Sequence, residues 1–255
     1  MIPYFSQPSL DLGFFTIHAF GVLVALAVFV GHRVFIRRLP RYGLDVRLGD
    51  RLLTWILVGG FVGAHLFDRL AYFPAETLED PWSIVRFWDG LSSFGGFLGA
   101  IAGAWLFTRK VSLGQATWGY LDAVAYAFPF GWIFGRTGCF LAFDHPGLPT
   151  TFWLAQTDAH GVLRHNLGLD EGLFTVGVAA LFALLGRRQY RPGLYLGLLP
   201  LIYGPFRFAL DFLRSRDVRY IGLTPGQYGS ALLFVIGIIV LGLRAQRVER
   251  DLGSP

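Results

Sequence analysis

The sequence predicts an all-α, polytopic membrane protein of about seven transmembrane helices, with its N-terminus external and its C-terminus cytoplasmic. Three observations carry that expectation. Of 255 residues, 54% are hydrophobic and only 15% charged, against about 25% charged in soluble domains. The apolar residues gather at 13–31, 52–72, 92–108, 118–141, 172–186, 193–213 and 226–243, and about 20 residues cross a bilayer. The basic residues alternate between successive loops, as cytoplasmic enrichment in Lys and Arg requires.

Residues 1–17 hold no Lys or Arg, so the charged leader of a secretory signal is missing and the first run is expected to stay as a helix. Arg33, Arg37, Arg38, Arg41, Arg47 and Arg51 follow it and mark a cytoplasmic loop. After the second run, Arg86 stands among Glu76, Glu79, Asp80 and Asp89, an external composition. Arg109 and Lys110 then lie inside, and Arg187, Arg188 and Arg191 follow the fifth run, also inside. Arg244, Arg247 and Arg250 close the chain inside. Between them lies a long external loop, about 142–171, so the whole of 1–255 reads as one membrane-embedded domain. Two features strain the scheme. The fifth run is short for a span, and Arg214, Arg216 and Arg219 face only Asp217 in a segment that should be external. That segment needs either a miscounted span or a local partner for its charge. The pairs Gly59-Gly60 and Gly95-Gly96 signal close helix contact or unwound backbone.

Composition also excludes functions. The net charge of +5 comes from basic residues scattered among apolar runs, without the continuous stripe that nucleic acid needs. The single cysteine, Cys139, forbids an internal disulfide and argues against a cysteine-based metal site. No metalloprotease His-Glu-x-x-His, nucleophile elbow or phosphate-binding loop occurs, and no cofactor is expected.

Ionisable side chains at membrane depth mark function by default, because they are costly there. Here they are His18, His65, Asp68, Arg69, Asp122, Arg136, Arg207 and Asp211. His18 lies near a helix end within reach of water, and Asp122 suits a helix N-terminus. His65, Asp68 and Arg69 share a helix face, either as a self-satisfied polar patch or as part of a site. Arg207, Asp211 and Arg214 also share a face. Either Arg207 and Asp211 neutralise each other, or Arg136 and Arg207 on separate spans form a cationic pocket that grips a lipid phosphate through bidentate hydrogen bonds. His145 beside Asp144 supplies a candidate base near Arg136. Adjacent residues on a strand point apart, so Asp144 is not required to orient it. His165 and Glu171 close the same loop. Cys139, flanked by apolar residues, reads as packed rather than as a nucleophile.

Taken in order, these segments resemble the prolipoprotein diacylglyceryl transferase family. His18-Ala-Phe-Gly21 is similar to that family's first-span His-x-Tyr-Gly, and Phe87-Trp-Asp-Gly90 with Ser92, Ser93, Gly95 and Gly96 to its Trp-Asp-Gly-Gly-Met-Ser-Phe-His-Gly-Gly. Gly135-Arg-Thr-Gly-Cys-Phe140 resembles Gly-Arg-x-Gly-Asn-Phe, and Arg164-His165 with Glu171 resembles Arg-His-Pro-Ser-Gln-x-Tyr-Glu. Tyr203-Gly-Pro-Phe-Arg207, Asp211, Arg214 and the late Gln227 complete the series. The resemblance implies seven spans in the bacterial inner membrane and two substrates, phosphatidylglycerol and the signal peptide of a preprolipoprotein. It implies transfer of diacylglycerol to the lipobox cysteine, with release of glycerol phosphate. Arg136, Arg207, His145, His65 and Asp144 are then the candidate catalytic residues. Ser92, Ser93, Gly95, Gly96, His165, Glu171, Asp211, Arg214 and Gln227 are the candidate substrate-binding residues.

The sequence departs from the family pattern at several of these positions. Phe94 stands where the family has a histidine before the glycine pair, Cys139 and Ala142 replace two asparagines, and Phe143-Asp144 replaces Gly-Glu. Phe20 and Asp170 replace tyrosines, and His65 replaces an arginine. With the usual base gone, His65 and His145 are the candidates to supply it by relocation. The alternatives are a paralogue with another acceptor, a non-catalytic lipid-binding scaffold, and, least supported, a transporter.

Overall fold

A computed structural model describes residues 1–13, 16–87, 90–215 and 219–253, without side chains at 93, 94 and 248–253. Trp88, Asp89, Arg216 and Asp217, and the side chains of Ser93 and Arg250, therefore lie outside the described residues. The structure is mainly helical. Among the described residues, four helical segments are both long and apolar enough to cross a membrane: Ala19–Tyr42, Leu167–Leu185, Leu194–Leu213 and Pro225–Arg247. The chain divides into two compact units, Met1–Tyr42 with Leu121–Pro255, and Gly43–Tyr120.

The larger unit opens with a hairpin, β1 (Ser9–Asp11) antiparallel to β2 (Thr16–His18). Asp11 accepts a hydrogen bond from the Gly13 amide, 2.8 Å, and Gly13 has φ +83°. The first helix, α1 (Ala19–Arg38), thus begins six residues later than the apolar run. Hydropathy cannot separate an apolar strand from an apolar helix, and β-branched Thr16 and Ile17 take the strand.

The smaller unit holds α2 (Val46–Phe67), α3 (Pro74–Glu79) and α4 (Ser93–Lys110). Asp45 caps α2 by accepting from Arg47 N at 2.6 Å and Leu48 N at 3.2 Å. At its far end α2 loosens into a π-helical turn, Asp68–Tyr72. The glycine pairs mark close helix contact: a methyl group on Gly63 would stand 2.6 Å from the Gly95 carbonyl oxygen and 2.7 Å from Gly99 Cα. Only glycine lets the α2 and α4 backbones approach so far.

From α5 (Ala116–Ala142) the chain returns to the larger unit. Phe143, at φ +49°, turns it back sharply. A small antiparallel sheet follows, β3 (Pro146–Pro149), β4 (Gln156–Thr157) and β5 (Leu163–Asn166) in the order β3-β5-β4. Ile2 joins this sheet, donating to Ala155 O at 2.8 Å and accepting from Thr157 N at 3.0 Å. Asp158 accepts from Arg164 Nε at 2.8 Å, and this hydrogen bond holds its carboxyl below the usual range.

Asn166 caps α6 (Leu167–Leu185), accepting from Leu169 N at 3.2 Å. This helix starts five residues before its apolar run, because Asp170 and Glu171 are inside it. With 19 residues it is no longer short. Next come α7 (Leu194–Leu210), interrupted by Pro200 and Pro205, and α8 (Pro225–Gly253). Ala125, Val178, Phe182 and Tyr195 bury a core shared by α5, α6 and α7.

Arg38 corrects its expected role as a loop charge. It is 3% exposed, enclosed by the rings of Tyr42, Tyr126 and Tyr195 at 4.4–5.1 Å, and donates to the Gly186 carbonyl that ends α6, 3.3 Å. Asp122 does serve a helix N-terminus, but that of α7. Its carboxylate accepts from Leu196 N at 2.8 Å and from Tyr42 OH at 2.6 Å.

Two measurements check this architecture. Gly63→Leu should destabilise the protein by about 1–3 kcal/mol through overpacking, seen as a lowered unfolding midpoint in detergent. The Asp158 carboxyl is depressed on folding, so its contribution is fully present above the ordinary value of about 3.9 and is lost as pH falls through the lower folded value. Amide exchange in β4 and β5 should accelerate over that acidic window in the native chain, and Asp158→Asn should abolish the pH dependence.

Candidate active site

Three helices converge on one carboxylate. Glu171, just past the first turn of α6, is 2% exposed. Its Oε1 lies 2.8 Å from Arg136 Nε of α5 and accepts from Trp132 Nε1 at 3.0 Å and from the Tyr203 hydroxyl of α7. Its Oε2 is 3.9 Å from Arg207 Nε of α7. Arg136 also lies over the Trp132 ring, 4.5 Å from its centre. The two arginines expected to form a pocket are therefore brought together, and Glu171 is their bridge.

A second carboxylate supports the far side. Asp211 is fully buried and accepts from Arg207 Nη1 at 2.6 Å, with Arg214 Nε 3.5 Å away and the Thr224 hydroxyl bonded to its other oxygen. Of the two sequence alternatives for Arg207, the pairing with Asp211 is present, and the same guanidinium stands on the other side of Glu171 from Arg136. Arg214 thus finds the local partner that its unexpected position demanded. Its backbone bridges Gly147, and Ser215 Oγ donates to Pro146 O at 2.9 Å, tying this segment to the sheet.

Gln227 is hydrogen-bonded within the fold. Its Oε1 accepts from Thr224 N at 3.0 Å, its own amide donates to Thr224 Oγ1 at 3.1 Å, and its Nε2 donates to Phe208 O at 3.3 Å. This reciprocal capping box starts α8 and fixes the Thr224 hydroxyl on Asp211. Asp211 and Gln227 are both fully buried.

Beside Arg136, the turn at Phe143 folds Asp144 and His145 back over the end of α5. Contrary to the strand argument, Asp144 does orient its neighbour: His145 Nδ1 donates to Asp144 Oδ1. A left-handed residue just before the pair removes the alternation on which that argument relied. Cys139 is buried, with its sulfur 3.7 Å from Arg136 Nη1. Among the described residues, Cys139, Asp144 and His145 bring one potential metal-ligand atom each within 4.8 Å of one another. His165 lies with its Nδ1 3.3 Å from Asp170 and its ring stacked near Phe152, so it addresses Asp170 rather than Glu171.

The remaining candidates lie in the smaller unit. His65 is fully buried, with Nδ1 3.2 Å from Gly90 O and Nε2 3.1 Å from Ile84 O and 3.2 Å from Ser83 O. Both nitrogens face backbone carbonyls and brace the 83–90 segment. Asp68 and Arg69 pair at 2.8 Å, beside Gly90. Ser92 caps α4, accepting from Gly95 N at 3.3 Å. Gly95 and Gly96 lie in the contact with α2, Gly96 with its added Cβ position 3.6 Å from Ala64 Cβ. Sequence reading passed over Trp132, and took Tyr203 and Thr224 as motif neighbours rather than as site residues. Trp132 precedes Arg136, and Tyr203 precedes Arg207, by one helical turn, and Thr-x-x-Gln is a cap signature.

Fold and site together define a helical integral membrane protein with a buried arginine–carboxylate centre. The sequence model of one family, described as prolipoprotein diacylglyceryl transferase, matches residues 8–243. A phosphatidylglycerol–prolipoprotein diacylglyceryl transferase of Solidesulfovibrio magneticus is 33% identical over 259 residues, covering 95% of this chain and 96% of that protein. Proteins of the same name from Campylobacter lari, 30% identical with 92% of each chain covered, and Tolumonas auensis, 27% identical with 94% and 96% covered, are also similar. The chain belongs to the prolipoprotein diacylglyceryl transferase family, and it is a transferase.

Removing the bridge exposes its role. Glu171→Ala leaves the buried Arg136 guanidinium without its carboxylate, while Arg207 keeps Asp211, and should cost about 3–5 kcal/mol. Tyr203→Phe, which deletes one hydrogen bond to a charged group, should cost about 1.5–3 kcal/mol. Thermal unfolding of the purified variants in detergent gives the order.

Proposed function

We propose that this chain transfers a diacylglyceryl group from phosphatidylglycerol to the lipobox cysteine of a preprolipoprotein signal peptide. The observation that carries the reading is the pair Arg136 and Arg207, held on either side of Glu171. A lone arginine at membrane depth is a liability, and two braced guanidinium groups are a preformed grip for a phosphodiester. The acceptor sulfur attacks the glycerol carbon that bears the phosphate. The C–S bond forms, the C–O bond breaks, and its electron pair leaves on the phosphate oxygen as glycerol phosphate. Arg136 and Arg207 stabilise the charge that develops on that leaving group. His145, its Nδ1 donating to Asp144, presents Nε2 to the acceptor thiol and takes the proton. Glu171, Asp211, Arg214 and Gln227 hold the arginines in place, and His165 lines the same loop. Ser92, Gly95 and Gly96 shape the smaller unit, and His65 braces it rather than serving as base.

The same reading places α1, α2, α4, α5, α6, α7 and α8 across the bacterial inner membrane as seven spans of one functional domain, N-terminus outside. α2, α4 and α5 have 22, 18 and 27 residues, about 33, 27 and 40 Å at 1.5 Å per residue. The bridge from Ile2 to the sheet after α5 is consistent with four crossings between them, since an even number returns a chain to the side on which it started.

Complementation of a transferase-depleted bacterium, with mass spectrometry of a reporter lipoprotein, tests the assignment. The native chain should restore the diacylglyceryl mass. Arg136→Ala and Arg207→Ala should each lower transfer by about 10²–10³-fold, the loss seen when a transition-state donor is removed. His145→Ala should follow, and His65→Gln should lose less than His145→Ala. Full activity of Arg207→Ala would overturn the phosphate grip. Failure of the native chain to restore the mass would favour a different acceptor or a scaffold.

A further inference from the structure

The group Cys139, Asp144 and His145 is chemically richer than a base and its orienting acid. Thiol, imidazole and carboxylate together select a borderline transition-metal ion over magnesium or calcium, which take oxygen ligands. We propose that these three side chains form a binding site for a zinc-class divalent cation, and that its occupancy inhibits transfer. The inhibitory half rests on the role given to His145 above, and the binding half does not.

The local fold builds the cluster. Cys139 sits one turn before the end of α5, and the left-handed Phe143 brings residues 144 and 145 back over it. The three ligand atoms lie within 4.8 Å of one another. Around zinc, with bonds of about 2.0–2.3 Å, they would be roughly 3.3–3.6 Å apart, a contraction that side-chain rotation supplies. Cys139 is buried, His145 half-buried and Asp144 exposed, so the cluster opens on one side to an arriving ion. Three protein ligands leave a fourth position for water.

Charge also balances. Binding expels the thiol proton to solvent, and thiolate and carboxylate together neutralise the dication. The Arg136–Glu171 pair keeps its own balance, and Arg136 Nη1, 3.7 Å from the sulfur, stands as an outer donor to the thiolate. A bound ion takes the Asp144 oxygen away from His145 and occupies the imidazole, so the proton acceptor is removed while the arginine grip remains.

Cobalt(II) titration of the purified full-length chain in detergent tests binding without turnover. The expected result is one ion per chain, a sulfur-to-cobalt charge-transfer absorption, and its displacement by zinc. Cys139→Ser should abolish the absorption, and His145→Ala, a change at a partly exposed position, should weaken binding at least ~10-fold. Transfer by the native chain should fall with added zinc and return with a chelator, while the activity ratio with and without zinc should approach one in Cys139→Ser. Absence of the thiolate band, or a band that survives in Cys139→Ser, overturns the site. Binding with unchanged transfer overturns the inhibition and the role of His145 as base. A chain that binds cobalt through Cys139 but fails complementation keeps the metal site and loses the proposed reaction.

Discussion

A carboxylate held out of water must be matched by cations, and Glu171 sets that requirement for the larger unit. Its two oxygens receive a guanidinium, an indole N–H and a phenol, and approach a second guanidinium, from side chains on α5 and α7. Buried ion pairs add little net stability, because desolvation offsets attraction. They punish misplacement, because any helix out of register leaves a bare charge. Glu171 therefore works as a gauge of helix position. Asp211 repeats the logic one step outward, and the capping box of Thr224 and Gln227 carries it to the start of α8.

The opposite end of the same unit uses inverted charges. Arg38 closes the C-terminus of α6 and Asp122 the N-terminus of α7, with the Tyr42 hydroxyl touching both. Each complements the partial charge of a helix end. The α6–α7 connection is thus fixed by side chains from α1, its following turn and α5. Chemistry at the arginine centre relies on helices anchored at both ends.

The sequence made some of this legible. Arg136 and Arg207 were conspicuous because charge inside apolar runs is costly, and Asp211 followed from its place one turn after Arg207. Glu171 was visible as a residue but not as the bridge, since it lies far along the chain from Arg136 and only packing unites them. Its helix began inside what hydropathy assigned to the loop, because a carboxylate lowers the local mean regardless of its partners. The contact of Asp144 with His145 was hidden for another reason. It depends on the backbone angle of Phe143, and a bulky residue in the left-handed region has no sequence signature. The opening hairpin was obscured because apolar strand and apolar helix look alike in composition, whereas the glycines of α2 and α4 announced their contact through size alone.

The strand-like link between Ile2 and Gln156 joins a residue that precedes α1 to one that follows α5. It cannot form until β4 has left the ribosome, which happens only after α1, α2, α4 and α5 have been made. Until then the segment around Ile2 waits without this partner. The link is a closing stitch in the order of assembly: the segment before α1 gains this partner only after the helix that carries Arg136 has been delivered, so an incomplete molecule is distinguishable by a loose segment there.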